Sequence, residues 1–254
     1  MSANQGEILG IALSFVLAGM VKGITGMGLP TVAMGLLGLV MAPAEAAAFL
    51  IIPSAVTNLW QFFAGPNRSR LARRTGSMLV LICVSTWAAA GLIAGNRASH
   101  ATTALGAALL AYAGVALANI RLSVSRRAEI WLSPLVGAVT GVVTGATGVF
   151  VIPAVPYLQA LGLEKEDLVQ ALGLSFTVST FALAAGLASR GAFHLGAVGA
   201  SMLCTLPALV GMALGQLIRA RVNPATFRMI FLSGLLVLGT DLIVRSMTQA
   251  RLRP

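Results

Sequence analysis

Long apolar runs fill the chain, and short charged or turn-rich breaks divide them into ten segments. The segments cover about residues 7–25, 28–41, 44–64, 76–95, 101–120, 131–144, 147–161, 168–188, 194–217 and 226–246. The second and seventh are short. A helix of about 14 or 15 residues reaches roughly 21 to 23 Å, less than the ~30 Å hydrocarbon core of a bilayer. Both short segments follow glycine-rich stretches, "GMVKGITGMGLP" at 19–30 and "GAVTGVVTGATG" at 137–148. The pattern predicts an all-α polytopic membrane protein with about five hydrophobic segments per half, each half opening with a glycine-broken or re-entrant helix.

The halves resemble each other. Gly19, Gly23 and Gly26 align with Gly137, Gly141 and Gly145, with one extra residue in the second copy. "NLWQFFAG" (58–65) aligns with "STFALAAG" (179–186), and "GLIAG" (91–95) with "GMALG" (211–215). The offset stays between 118 and 121 residues along the chain. This implies an internal two-fold repeat, a common transporter plan. The expected division is a first membrane repeat at 7–120, a basic cytoplasmic linker at 121–130, and a second membrane repeat at 131–247. If each half crosses five times, the repeats are inverted. If the first two segments of each half form one broken crossing, they are parallel. With the arginine loops at 66–74 and 121–127 placed inside, either arrangement leaves eleven basic residues inside and five outside once Lys22 is set aside. Charge leaves the orientation open, with a lean to inverted repeats.

Composition narrows the class. The 254 residues are 57% hydrophobic and only 9% charged, with a mean hydropathy of +0.91, against about 25% charged in soluble domains. No sizeable soluble domain fits. The first run has Glu7 where a secretory signal needs a basic start, so it reads as retained. The net charge of +10 comes from arginines in short loops, which follows positive-inside placement and argues against nucleic acid as a partner. Cys83 and Cys204 lie in apolar runs without metal or redox spacing. Neither a metal nor a cofactor is implied.

The breaks carry the candidate chemistry. An interrupted helix in lipid exposes first-turn N–H groups at the positive end of a helix dipole, which suits an anion. Gly26, Gly28, Gly145 and Gly148 let backbone approach a ligand, and Thr25, Thr144 and Thr147 offer hydroxyls. Pro30 and Pro153 mark where a helix resumes. The pairs Gly19, Gly23 and Gly137, Gly141 equally suit close helix packing. Lys22 is the sharpest residue, because an ammonium in an apolar run is costly and functional by default. It pairs with an anionic substrate or snorkels to water; Thr140 stands opposite it in the second copy. Asn58 and Gln61 in the third segment and Ser175 and Ser179 in the eighth complete the binding set, alongside Thr177 and Thr180, unless they bond their own helices. Asp241 and Arg245 fit a local pair. Glu45, Glu164, Glu166 and Asp167 fall at segment ends and read as solvated.

These residues carry a resemblance. "AGMVKGITGMGLPTVAMGLLGL" (18–39), "VGAVTGVVTGATGVFVIPAV" (136–155), "GLEKEDLVQALGLSFTVSTF" (162–181) and "NPATFRMIFLSGLLVLGTDL" (223–242) resemble the TauE/SafE sulfite-exporter family, also grouped as toluene-sulfonate uptake permeases. The resemblance implies a multi-pass carrier of the bacterial inner membrane for sulfite or organic sulfonates, driven by secondary transport. "GMGLP" (26–30) and "GATGV" (145–149) depart from the family's glycine triplet, which leaves the substrate open. The expectation is alternating access of two repeats around a mid-membrane anion site. The expected partners are a small anion, the lipid bilayer and a coupling proton or sodium ion; a homodimer is one oligomeric option. A carboxylate permease and a non-transporting membrane subunit are the alternatives. A membrane enzyme lacks support, since there is no HExxH and both histidines lie at segment ends.

Overall fold

The predicted segments all contain helices, but not always with the predicted bounds: 131–144 lengthens to Arg126–Thr147, while 28–41 and 147–161 hold only Leu29–Leu37 and Ala154–Ala160. The structure is a computed structural model that describes residues 5–95, 98–118 and 122–251, and every regular element in these is helical. The elements are α1 (Gln5–Thr25), α2 (Leu29–Leu37), α3 (Pro43–Ala64), α4 (Arg68–Arg74), α5 (Gly76–Ala94), α6 (Ala98–Leu117), α7 (Arg126–Thr147), α8 (Ala154–Ala160), α9 (Lys165–Ala188), α10 (Leu195–Ile218) and α11 (Pro224–Arg251). Eight are long and apolar enough to cross a membrane; α2, α4 and α8 are not. The apolar pattern missed α4, a seven-residue arginine-rich helix in which Leu71 alone is buried. The expected linker is also shorter than 121–130. Ser125 caps α7 by accepting from the Ala128 N–H at 3.3 Å, so 126–130 are already helical.

Glycines set which helices lie side by side. A Cβ on Gly19 would stand 2.1 Å from Ala208 O, and one on Gly23 2.3 Å from Met212 O. From the other side, Gly211 meets Val16 O and Gly215 meets Met20 O. Residue numbers rise together, so α1 and α10 run parallel in backbone contact. In the same way Gly137 lies on Met78, Gly141 on Ile82 and Gly145 on Thr86 and Ala89, so α5 and α7 run parallel. Conversely, α6 and α11 are antiparallel, with Gly106 on Gly239 and Thr103 bonded to Ser246 at 2.6 Å. So are α3 and α9, with Gly65 on Gln170 and Gly173 on Asn58 and Phe62.

Polar contacts gather on one face. There the end of α3, all of α4 and the starts of α5, α7 and α9 meet through Asn67, Arg70, Arg74, Glu129, Asp167 and Gln170. The end of α8 joins them, since Arg74 donates to Leu161 O at 3.1 Å and the Val124 N–H to Ala160 O at 2.9 Å. Serine 133 and Tyr157 are hydrogen-bonded between α7 and α8. The chain therefore leaves this arginine-rich face along α7 and returns to it through 148–161. The end of α1 also lies near this face, because Gln61 in the last turn of α3 donates to Gly26 O at 2.9 Å. The chain leaves it through α2 and returns along α3. Counted this way each half makes five legs, and the first leg of one half runs opposite to the first leg of the other. The short segments are legs in their own right.

Outward surfaces are apolar. Leu9, Leu13 and Leu17 of α1, Leu203, Leu206 and Leu217 of α10, and Ile230 and Val237 of α11 are exposed. Contiguous exposed apolar faces on that many helices match a lipid environment. Trp60, Trp87 and Trp131 also point outward.

Candidate functional site

The first break is built around Thr25. Its hydroxyl lies 2.9 Å from Val21 O and 2.7 Å from Met27 O, and accepts the Met27 N–H at 3.2 Å. Gly26 follows at φ 80° and Gly28 at φ 98°, backbone conformations that side chains rarely adopt. Together they turn the chain from α1 into α2. Pro30 in the first turn of α2 has no N–H, so this end presents the N–H groups of Leu29 and Thr31. The Thr31 hydroxyl is fully buried and has no hydrogen-bond partner among the described residues.

Lys22 sits one turn before this break and is 4% exposed. It does not snorkel. Its Nζ donates to Asn58 Oδ1 on α3, while Asn58 Nδ2 is buried without a partner among the described residues. Gln61, one turn further, donates to both Gly26 O and Val169 O at 2.9 Å and so ties α1, α3 and α9 together.

The second break repeats the local device. The Thr147 hydroxyl donates to Val143 O at 2.7 Å and accepts the Val149 N–H at 3.2 Å; Gly148 follows at φ 71°. By helix-end geometry Thr147 and Gly148 correspond to Thr25 and Gly26, and Thr144 corresponds to Lys22: the Gly26 N–H bonds Lys22 O and the Gly148 N–H bonds Thr144 O. Sequence alignment had matched Gly26 with Gly145 and Lys22 with Thr140, three and four positions earlier. Gly145 is inside α7, where a Cβ would come within 2.7 Å of Ala89 Cβ and Thr86 O. Thr144 donates to Val149 O at 3.3 Å. Met34 of α2 fills the space at Gly148, so the two breaks are joined through α2.

Polar residues also stand at one-turn spacing on α3 and α9. Ser54 is one turn before Asn58, and Ser175 one turn before Ser179. All three serine hydroxyls are fully buried with no partner among the described residues. Their neighbours behave differently: Thr57, Thr177 and Thr180 each bond the carbonyl four residues back, at 2.8, 2.7 and 2.7 Å. Buried polar groups without a protein partner are costly and call for a water or a polar ligand. Ser54 and Thr31 went unnoticed in the sequence; the four-residue spacing from Ser54 to Asn58 was the available signal.

The arginine-rich face is a second polar assembly. Arg74 holds Glu129 through Nε at 2.7 Å and Nη2 at 3.0 Å. The hydrogen bond to that carboxylate pushes the guanidinium above its ordinary value. Arg70 and Asn67 hold Asp167, which is buried, contrary to its reading as a solvated end residue. Gln170 donates to Phe62 O and Gly65 O at 2.8 Å and accepts the Asn67 N–H at 3.1 Å. A cavity of about 350 Å³ opens here between Arg70, Arg74, Arg126 and Glu164. Asp241 and Arg245 form the expected pair on α11 at 2.7 Å, half-exposed.

The apolar membrane-length helices and their exposed outer faces agree with one comparison. The family model described as Sulfite exporter TauE/SafE matches residues 11–242. The chain belongs to the TauE/SafE sulfite-exporter family. The match spans α1 to most of α11, and includes both breaks. Comparisons with curated proteins and with solved structures give no match. TauE/SafE proteins are membrane exporters of sulfite and related anions, and transport by this chain is the activity its membership supports. Among the described residues no three His, Cys, Asp or Glu side chains are grouped to hold a metal ion.

Proposed function

We propose that the protein is a secondary transporter of small anions, sulfite or organic sulfonates, in a bacterial inner membrane. Its two halves act as inverted repeats that rock about a site between the glycine breaks. The observation that carries the reading is Lys22: a buried amine whose bond goes to a neutral amide, beside an amide nitrogen with no acceptor among the described residues. An anion there supplies the missing negative charge and the missing acceptor together. Asn58 Nδ2 and the hydroxyls of Thr31, Ser54, Ser175 and Ser179 are the donors to its oxygens, and the first turn of α2 adds its N–H groups. Gly26, Gly28 and Gly148 make the turns, Thr25, Thr144 and Thr147 fasten them, Gln61 positions Gly26, and Gly145 seats α7 on α5.

The test is thermal stabilisation of purified protein by sulfite, isethionate, toluene sulfonate, sulfate and simple carboxylates, followed by flux in liposomes. Binding to the folded state raises its stability by mass action. A sulfonate or sulfite shift lost in Lys22→Ala supports the reading. A shift with carboxylates alone replaces the sulfur substrates with a carboxylate permease. Unchanged flux in a well-folded Lys22→Ala protein removes Lys22 from the site.

A further inference from the structure

The described residues bury three charged side chains: Lys22, Glu129 and Asp167. The two carboxylates are held by Arg74 and Arg70. Lys22 has an amide oxygen instead. We propose that Lys22 is the proton carrier of the transport cycle, taking up one proton as each anion binds and returning it to water as the anion leaves. The inference rests on the anion site proposed above and adds the coupling ion to it.

Among the described residues, no charged group on the neighbouring elements replaces the missing counter-ion. The helix packed along α1 is α10, which has Cys204 as its sole titratable side chain between Leu195 and Ile218. None occurs in α2. In α3 the one charged residue is Glu45, about 20 Å along the helix from Asn58 at 1.5 Å per residue. On α1 itself Glu7 is four turns away. Near the break, Tyr112 of α6 donates to Met27 Sδ at 3.9 Å, and Arg228 of α11 donates to Ala116 O. On α9, Lys165, Glu166 and Asp167 lie in the first turn at the arginine-rich face, with Asp167 bonded to Arg70 and Asn67.

An ammonium buried without a counter-ion is disfavoured, and lysine, unlike arginine, can relieve this by releasing its proton. Without its proton the amine still donates an N–H to Asn58 Oδ1, and an anion beside Nζ favours the ammonium. Each ligand then raises the affinity for the other by the same factor. The step is balanced: water on one side gives a proton to the amine, the anion pairs with the ammonium, and both depart on the other side. For a monovalent anion the loaded and empty sites both carry no net charge at Lys22, so either crosses the lipid barrier without a buried excess charge.

The test uses isethionate and toluene sulfonate, which stay fully ionised throughout the working range, so any proton exchanged belongs to the protein. Calorimetric titration of the full-length protein in two cationic buffers of different ionisation enthalpy counts protons per anion bound. The expected count in wild type approaches one where the empty amine is neutral, and affinity there falls towards tenfold per pH unit. In Lys22→Arg, where the cation cannot deprotonate, the binding that remains carries a count near zero and no pH dependence. Lys22→Met supplies a second folded variant with no proton exchange. Anion binding by wild type with no proton uptake overturns the proton-carrier role and leaves the anion site standing. Uptake that survives in Lys22→Arg or Lys22→Met overturns it as well. Absence of binding by either sulfonate overturns the sulfonate reading and the carrier role with it.

Discussion

Gly211→Ala tests whether the glycines of the long helices serve packing or a ligand. A Cβ at this position would lie 2.0 Å from Val16 O and 2.8 Å from its carbonyl carbon. Both are backbone atoms of α1, which cannot rotate aside as a side chain would. Ordinary contact requires about 3.4 Å or more, so α1 and α10 must part by more than about 1 Å over this turn. Overpacking of this kind costs about 1–3 kcal/mol. Separation also loosens the contacts of Gly19, Gly23 and Gly215 with the opposing backbone, and it offsets the ~1 kcal/mol that alanine gains over glycine in a helix. Gly199 on the same helix is the control: nothing lies within 4 Å of its Cβ position. Gly199→Ala should gain about 0.5–1 kcal/mol. The assay is melting of a fluorescent fusion in detergent, followed by size-exclusion chromatography. Gly211→Ala should melt below wild type and Gly199→Ala at or above it. The double variant Gly19→Ala, Gly211→Ala should cost less than the sum of its parts, because helices already parted admit the second methyl cheaply. Wild-type melting of Gly211→Ala, or equal shifts at 211 and 199, would refute the parallel backbone contact of α1 and α10.

Lys22→Met should separate stability from function: transport is lost, while the melting temperature rises, because an apolar side chain of similar length replaces a desolvated amine, which outweighs about 1 kcal/mol for one lost hydrogen bond. Gln170→Leu leaves Phe62 O, Gly65 O and the Asn67 N–H without their partner, and should destabilise by about 2–3 kcal/mol in the same melting assay. Arg74→Ala should cost more than Glu129→Gln, about 1–3 kcal/mol in this part-exposed pair, because only the first strands a buried carboxylate. Single cysteines at Ser69 and Ser189, placed in a protein with Cys83 and Cys204 replaced, should react with an impermeant maleimide from opposite sides of sealed vesicles. Labelling of both from one side would contradict the leg directions.

The sequence by itself determined the membrane class, the approximate place of the long helices and the two breaks. Apolar periodicity, glycine and proline act within a few residues of themselves, so these features are written locally. It also singled out Lys22, Asn58, Gln61, Ser175 and Ser179, since polar residues in apolar runs stand out. Three matters needed tertiary structure. Whether a short segment is a leg depends on what meets its far end, and the bond from Arg74 to Leu161 O decides this for α8. Whether a glycine faces a ligand or a helix depends on its neighbour, and Ala89 decides this for Gly145. Which residues of the two breaks correspond depends on where each helix ends, and one turn more in α7 moved the match from Gly145 to Gly148. Asp167 belongs with these: its partners Arg70 and Asn67 are far away in the chain, so nothing local distinguishes a buried carboxylate from a solvated one. Contacts between distant parts of the chain assign such roles, because burial and pairing are properties of the assembled fold.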